Sequence, residues 1–316
     1  MVKSGFWLLL SQAIVLLSIP YLARSYSVEE FSSFALFSAF FVVSSVICNL
    51  RLVDAIVIEL NEKLSFLIMT IYFFALIFGF VVSFFYSIFS GVFDELSFFL
   101  LYAAILCITQ VQIGNFLDVK SGYYGRASMW LALVNIFTIV FQIVLSDSLN
   151  GLVYGQVSAL LLVAFILFVL NFKYIKFINL GTVANTVKRN KSFAIYLTLY
   201  SLVGGLKSKF VYFTLGSNQY SGVLSQAERI SNAPNTLISG IIRPVVYSSF
   251  DSKKIKESGE SVLGGLFFLI IILSTPVLLV LNKYSEDVVL FLLGEQWVNY
   301  HKIFFYVAVS NVIMLL

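Results

Sequence analysis

Apolar runs of about twenty residues recur along this chain, the length that crosses a hydrocarbon core about 30 Å thick. Short polar turns such as SYSVEE, SGVFDE, SDSLN and GSNQYS separate them. Hydrocarbon supplies no hydrogen-bond partner, so a spanning chain must satisfy its own backbone, as a helix or a closed barrel. Barrel strands alternate apolar and polar residues over short segments. These runs do not alternate, so the expected fold is an all-α polytopic membrane protein. Ten segments are predicted, at roughly 5–25, 31–55, 64–88, 96–117, 128–146, 151–172, 193–215, 222–249, 261–282 and 302–316. Hydrophobic residues make up 60% of the 316 and charged residues 11%. A soluble domain is about half apolar and a quarter charged, so no separate soluble domain is expected. The first run lacks a small-x-small cleavage site and continues into Arg24, which makes it a span rather than a removable signal.

Positive charge gives the orientation. With a cytoplasmic N-terminus, the cytoplasmic side holds Lys3, Lys63, Lys120, Arg126, Lys173, Lys176, Lys188, Arg189, Lys191, Lys253, Lys254 and Lys256. The opposite side holds Lys283 and Lys302. The positive-inside rule therefore predicts a cytoplasmic N-terminus.

Glu30-Phe31-Ser32-Ser33 opens the second segment, and Gln219-Tyr220-Ser221-Gly222 opens the eighth in the same pattern. Six segments separate them, which suggests two halves of parallel topology, a common transporter plan. The expected organisation is an N-terminal six-helix bundle over 1–172, a basic linker over 173–192 and an incomplete bundle of four helices over 193–316. The chain ends on VAVSNVIMLL with no polar anchor, which reads as a truncation that removes about two helices.

The eighth segment, SGVLSQAERISNAPNTLISGIIRPVVYSSF, carries polar residues that lipid would not tolerate. At about 100° per residue, Ser221, Ser225, Arg229, Asn232, Thr236, Ser239 and Arg243 share one stripe about 80° wide. Glu228 lies at its edge and Pro234 opposite. A central Arg facing lipid costs about 2.5–3.5 kcal/mol, so the stripe must face other helices or a polar cavity. Interhelical glue is one reading, with Glu228 and Arg229 paired to neighbours. A continuous translocation path is the other, and it better explains polarity across most of the membrane.

Further charges join this set. Lys207 and Lys209 lie about 200° apart on the seventh segment and cannot share a face. Either could pair with Glu228 or point into a cavity. Arg51 and Asp54 are three apart and can form an ion pair on one face. Arg24 is a snorkelling anchor or a cavity residue. Arg24, Arg51, Lys207, Lys209, Arg229 and Arg243 face only Asp54 and Glu228. Such a surplus invites an anionic substrate, and a diphosphate suits Arg and Lys donors. Glu228 and Asp54 are the candidates for a titrating coupling group.

Enzyme chemistry finds no support. No phosphate-binding glycine loop is present, and His301, the one histidine, lacks the partners of a triad or a metal site. Cys48 and Cys107 lie inside apolar runs and read as small buried hydrophobes. GLVYG at 151–155 reads as helix packing. No metal, cofactor or nucleic-acid partner is expected.

LARSYSVEEFSSFALFSAFF, the eighth segment and LLGEQW at 292–297 together resemble the bacterial polysaccharide biosynthesis proteins. These are flippases for lipid-linked oligosaccharides such as O-antigen and capsule units, within the multidrug/oligosaccharidyl-lipid/polysaccharide exporter superfamily. The resemblance implies two six-helix bundles around a cationic cavity, with the last two helices absent here. It implies a substrate of undecaprenyl-diphosphate-linked oligosaccharide, moved from the cytoplasmic to the periplasmic leaflet by alternating access. The polysaccharide polymerase machinery would be a partner. The rivals are a multidrug or ion antiporter, which would want acidic cavity residues, a polymerase, which would need a sizeable outer loop, and a non-functional remnant.

Overall fold

A computed structural model describes residues 2–89, 95–174, 179–231, 275–276, 279–280 and 282–315. Every regular element among them is helical. The first six expected spans are α1 (Val2–Ser25), α2 (Val28–Ile47), α4 (Asn61–Phe89), α5 (Glu95–Lys120), α6 (Tyr124–Val144) and α7 (Gly151–Asn171), with a short α3 (Leu52–Ala55) after α2. Among the described residues, six helices are long and apolar enough to cross a membrane. Two compact units result: Met1–Ser11 with Ser33–Asn218, and Gln12–Ser32 with Gln219–Leu316.

In the first unit α4, α5, α6 and α7 pack in chain order, and α7 also lies against α5. Phe37, Tyr86, Leu101, Trp130 and Leu160 fill the core, joined by the fully buried Cys48, with Cys107 packed against them. Gly155 explains the close approach of α7 to α6. A Cβ there would lie 2.6 Å from Gln142 Cγ and 2.7 Å from the Gln142 backbone nitrogen. Gln142 Nε2 donates to Leu152 O at 2.9 Å across the same contact. The packing role read from GLVYG is therefore what the helix does.

The second span stops earlier than its apolar run. The sequence predicts a helix to residue 55, but α2 ends at Ile47. Asn49 competes for the backbone: its Nδ2 donates to Ser45 O and to Gln112 Oε1, and its Oδ1 accepts from Arg51 N. Leu50 and Arg51 then take left-handed conformations, with φ of 47° and 50°. A non-glycine residue there costs about 1–2 kcal/mol, which these bonds offset. The chain resumes as α3.

The basic stretch 173–192 holds more structure than a linker. It contains α8 (Leu180–Arg189), whose N-cap Asn179 accepts from Thr182 N. A π-helical turn over Ser192–Leu197 leads into α9 (Thr198–Leu215). Both belong to the first unit. α8 docks through Glu59, which is buried and accepts from Arg189 Nη2 at 2.8 Å and Asn190 Nδ2 at 3.1 Å. Lys120 Nζ donates to Glu59 O and Val57 O beside it.

The second unit contains α1 from Gln12 onward, residues 26–32, α10 (219–231), α11 (282–293), α12 (Glu295–Val298) and α13 (His301–Leu315). The stretch between Lys283 and Lys302, which separates the ninth and tenth expected segments, is thus largely helical. Two helix ends in this unit cap one another. Trp297 Nε1 and Gln296 Nε2 donate to Ala23 O at the end of α1. Arg24 Nη2 donates to Phe291 O at the end of α11. Helix C-termini carry unpaired carbonyls and negative partial charge, so both arrangements satisfy an inherent demand. Trp297 is fully buried between Phe31 and Phe304, edge-on to both rings.

Two outcomes are expected. Gly155→Ala should cost about 1–3 kcal/mol by overpacking, because the Gln142 backbone cannot step aside. Gly204→Ala, where a Cβ meets nothing within 4 Å, should cost nothing. Thermal melting in detergent separates the two. Glu59 gives a pH dependence. Burial alone would raise its carboxyl, but hydrogen bonds from Asn190 and Arg189 and the Arg189 charge outweigh it and hold the pKa below its ordinary value. The docking is therefore present above the ordinary glutamate range and is lost as pH falls through the lowered value. Amide-exchange protection of α8 should drop on acidification, and Glu59→Gln should remove that dependence.

Candidate functional site

α10 begins where the two repeated motifs meet. A Cβ on Gly222 would lie 2.6 Å from Val28 O and 2.7 Å from Ser32 Oγ, so α10 and the start of α2 touch through backbone. Ser32 and Ser221, equivalent positions in the repeat, are both fully buried. Gln219 Nε2 donates to Glu29 Oε1 at 2.5 Å, and Tyr300 OH donates to Gln219 Oε1 at 3.1 Å.

From this anchor α10 carries the start of the polar stripe. Its sealed face runs through Gly222, Val223, Gln226 and Ala227, while Ser225, Glu228 and Arg229 are half-buried. Ser221 of the stripe is fully buried, but from Ser225 to Arg229 the stripe is turned away from the tightest packing. Arg229 Nη1 is nonetheless buried, and it has no hydrogen-bond partner among the described residues. Glu228 does interact with a neighbour. Asn232, Thr236, Ser239 and Arg243 lie outside the described residues.

Gln226 escaped the sequence reading. It is fully buried, and both its amide atoms lack a partner among the described residues. A buried unpaired amide costs about 1–3 kcal/mol, so its place beside Arg229 adds a second polar group of unmet capacity. The signal was its position in the SQAER run; its angle, about 100° from Ser225, set it off the stripe.

The other candidate cations are less free than their number suggested. Arg24 is exposed and spends Nη2 on Phe291 O at 2.7 Å. Arg51 Nε meets Asp54 Oδ2 at 2.8 Å, so the expected pair forms, across the turn into α3 and not along a continuous span. Burial raises the Asp54 carboxyl above its ordinary value, opposed by the Arg51 charge. Lys209 lies over the Tyr212 ring, 4.8 Å from its centre. Lys207 is exposed on α9. His301 heads α13, with Nδ1 2.9 Å from Val298 O. No group of three or more potential metal ligands occurs among the described residues.

Comparison with known proteins follows this geometry. A family model described as "Polysaccharide biosynthesis protein" matches residues 21–302. No curated protein matches the chain. A solved structure, described as the inward-facing conformation of a multidrug resistance MATE family transporter of the MOP superfamily, superposes with a TM-score of 0.65. The match covers 96% of this chain and 81% of that chain at 16% identity. At that identity the likeness is one of fold.

If Arg24 serves as a helix cap, Arg24→Ala should lower stability by about 1 kcal/mol, and Arg24→Lys should recover part of it. Melting of the purified protein reads both. An unchanged melting temperature in Arg24→Ala would return Arg24 to the list of cavity cations.

Proposed function

The chain belongs to the polysaccharide biosynthesis protein family, and from that membership we propose that it is a flippase for an undecaprenyl-diphosphate-linked oligosaccharide. It carries the unit from the cytoplasmic to the periplasmic leaflet of a bacterial inner membrane by alternating access, for O-antigen or capsule assembly. The observation that carries the reading is the family match over residues 21–302 on a transporter fold. The chemistry of α10 supports it. Arg229 Nη1, buried and without a partner among the described residues, suits a phosphate oxygen, and the half-buried Ser225 hydroxyl suits a sugar hydroxyl. The positive-inside pattern supports an N-in orientation. In that orientation the sequence puts Arg243 nearer the cytoplasmic mouth and Arg229 nearer the outer half; 14 residues at helical rise would set them about 21 Å apart. They act as successive stations, because one diphosphate cannot bridge that distance.

A multidrug exporter is the second reading, favoured by the description of the structural neighbour. The cation excess argues against it, since cationic drugs want acidic cavities.

The test is restoration of surface polysaccharide in a strain lacking its flippase. The parent should restore it. Arg243→Ala and Arg229→Ala should restore far less, by roughly tenfold or more if each contact contributes about 1.5–3 kcal/mol. Arg243→Lys should retain part, because charge survives while the forked geometry is lost. Full restoration by both alanine variants and their double, at equal protein levels, sinks the role of these cations. Drug resistance without polysaccharide export would favour the second reading.

A further inference from the structure

The basic ends of α5, α6 and α7 enclose a cavity of about 240 Å³ in the first unit. Its walls include Asp118 and Ser121 from the end of α5, Arg126 and Trp130 from α6, and Asn171 and Lys173 from the end of α7. All three helix ends coincide with the ends of candidate spans, so the cavity opens at a membrane–water interface. A bulk water occupies about 30 Å³, so the space holds a group several times larger.

The hydrogen-bonding account of the walls is lopsided. Asp118 is buried and already served: Arg126 Nε donates to Oδ1 at 2.8 Å and Trp130 Nε1 to Oδ2 at 2.9 Å. Its charge is met and its two oxygens are occupied. The remaining capacity is mostly of donors. Arg126 keeps further N–H groups, with half its side chain exposed, and Lys173 is exposed above the Tyr174 ring. Ser121 and Asn171 add a hydroxyl and an amide. The formal charge of the walls is one net positive, from two cations against Asp118. Such a site accepts an anion.

The rim selects the kind of anion. Leu170 lines the cavity and is 57% exposed; Phe172, between the lining residues Asn171 and Lys173, and Tyr123, under Arg126, are exposed at 61% and 59%. At a span end such side chains face acyl chains and the headgroup level. Basic pockets between spanning helices at an interface are suited to anionic headgroups, with phosphate on the cations and chains along the apolar rim. We propose that this cavity holds the phosphate headgroup of an anionic phospholipid, with Lys173 and the outer face of Arg126 as its cationic contacts. The site is separate from α10 and does not depend on what the protein transports.

The test is native mass spectrometry of the purified protein released from detergent with added phosphatidylglycerol, phosphatidylcholine or inorganic phosphate. The parent should retain a phosphatidylglycerol adduct, with apparent affinity at least about fivefold above phosphatidylcholine, the size one interfacial cation supplies. Lys173→Glu, an exposed change that leaves the Asp118 contacts intact, should remove that preference, and Lys173→Gln should weaken it. Lys188→Glu on α8, equal in charge change but outside the cavity, should leave it in place. Equal loss in Lys188→Glu would mean diffuse surface attraction and would overturn the site. So would an unchanged adduct in Lys173→Glu, or equal retention of phosphatidylcholine. Competition by millimolar inorganic phosphate that abolishes the lipid adduct would assign the cavity to a free anion and overturn the lipid reading.

Discussion

A polar group inside hydrocarbon must find its hydrogen-bond partner within the protein, and the arrangement of the described helices depends on that demand. Most hydroxyls in the spans meet it locally. Ser18, Ser32, Thr70 and Thr109 each donate back to a carbonyl three or four residues earlier, at 2.7–2.9 Å. Longer polar side chains meet it across helices: Asn49 on Gln112, Asn115 on Ala127 O, Gln142 on Leu152 O. Against that background, Gln226 and Arg229 stand out on α10. Among the described residues their buried polar atoms lack partners, and they lie where the family's most specific run of residues also falls.

The same demand explains why helix ends and glycines recur in the structure. Where two helices touch through backbone, as at Gly155 and Gly222, no side chain separates them and short polar bonds become possible. Where a helix ends, its carbonyls need donors. α1 and α11 obtain theirs from one another's flanking residues, Trp297 and Gln296 on one side and Arg24 on the other. The LLGEQW run is therefore a device for closing helix ends. Gly294, with φ of 98°, makes the turn that presents Gln296 and Trp297.

Much of this was legible in the residues, and the failures have physical causes. The first six spans follow from length and composition, since nothing else can be done with an unbroken apolar run of that size. The end of α2 was not legible, because the break comes from Asn49 bonds and a left-handed pair without glycine or proline to announce it. α8 was hidden by polarity: its Leu180, Val183 and Val187 sit at helical spacing inside a stretch dominated by charge and amide groups. The Arg51–Asp54 pair was read correctly from spacing, although the helix thought to hold it ends before it. Gln226 was missed because the wheel ranks residues by direction, whereas its interest lies in an amide buried without a partner among the described residues.

The charge argument changes most once the contacts are known. Counting residues left four cations in surplus of the acids. The Arg51–Asp54 pair leaves that number unchanged, since both acids were already subtracted; contacts shorten it through Arg24, which caps a helix, and Lys209, which sits on an aromatic ring. Among the described residues, Arg229 then carries most of the case for an anionic guest on α10, with Gln226 and Ser225 beside it. This makes the reading narrower and stronger. A diffuse field of cations would attract any anion and release it with salt. A guanidinium group with one buried donor, Nη1, on a helix locked by Gly222 against the start of α2, instead favours an anion placed at that donor.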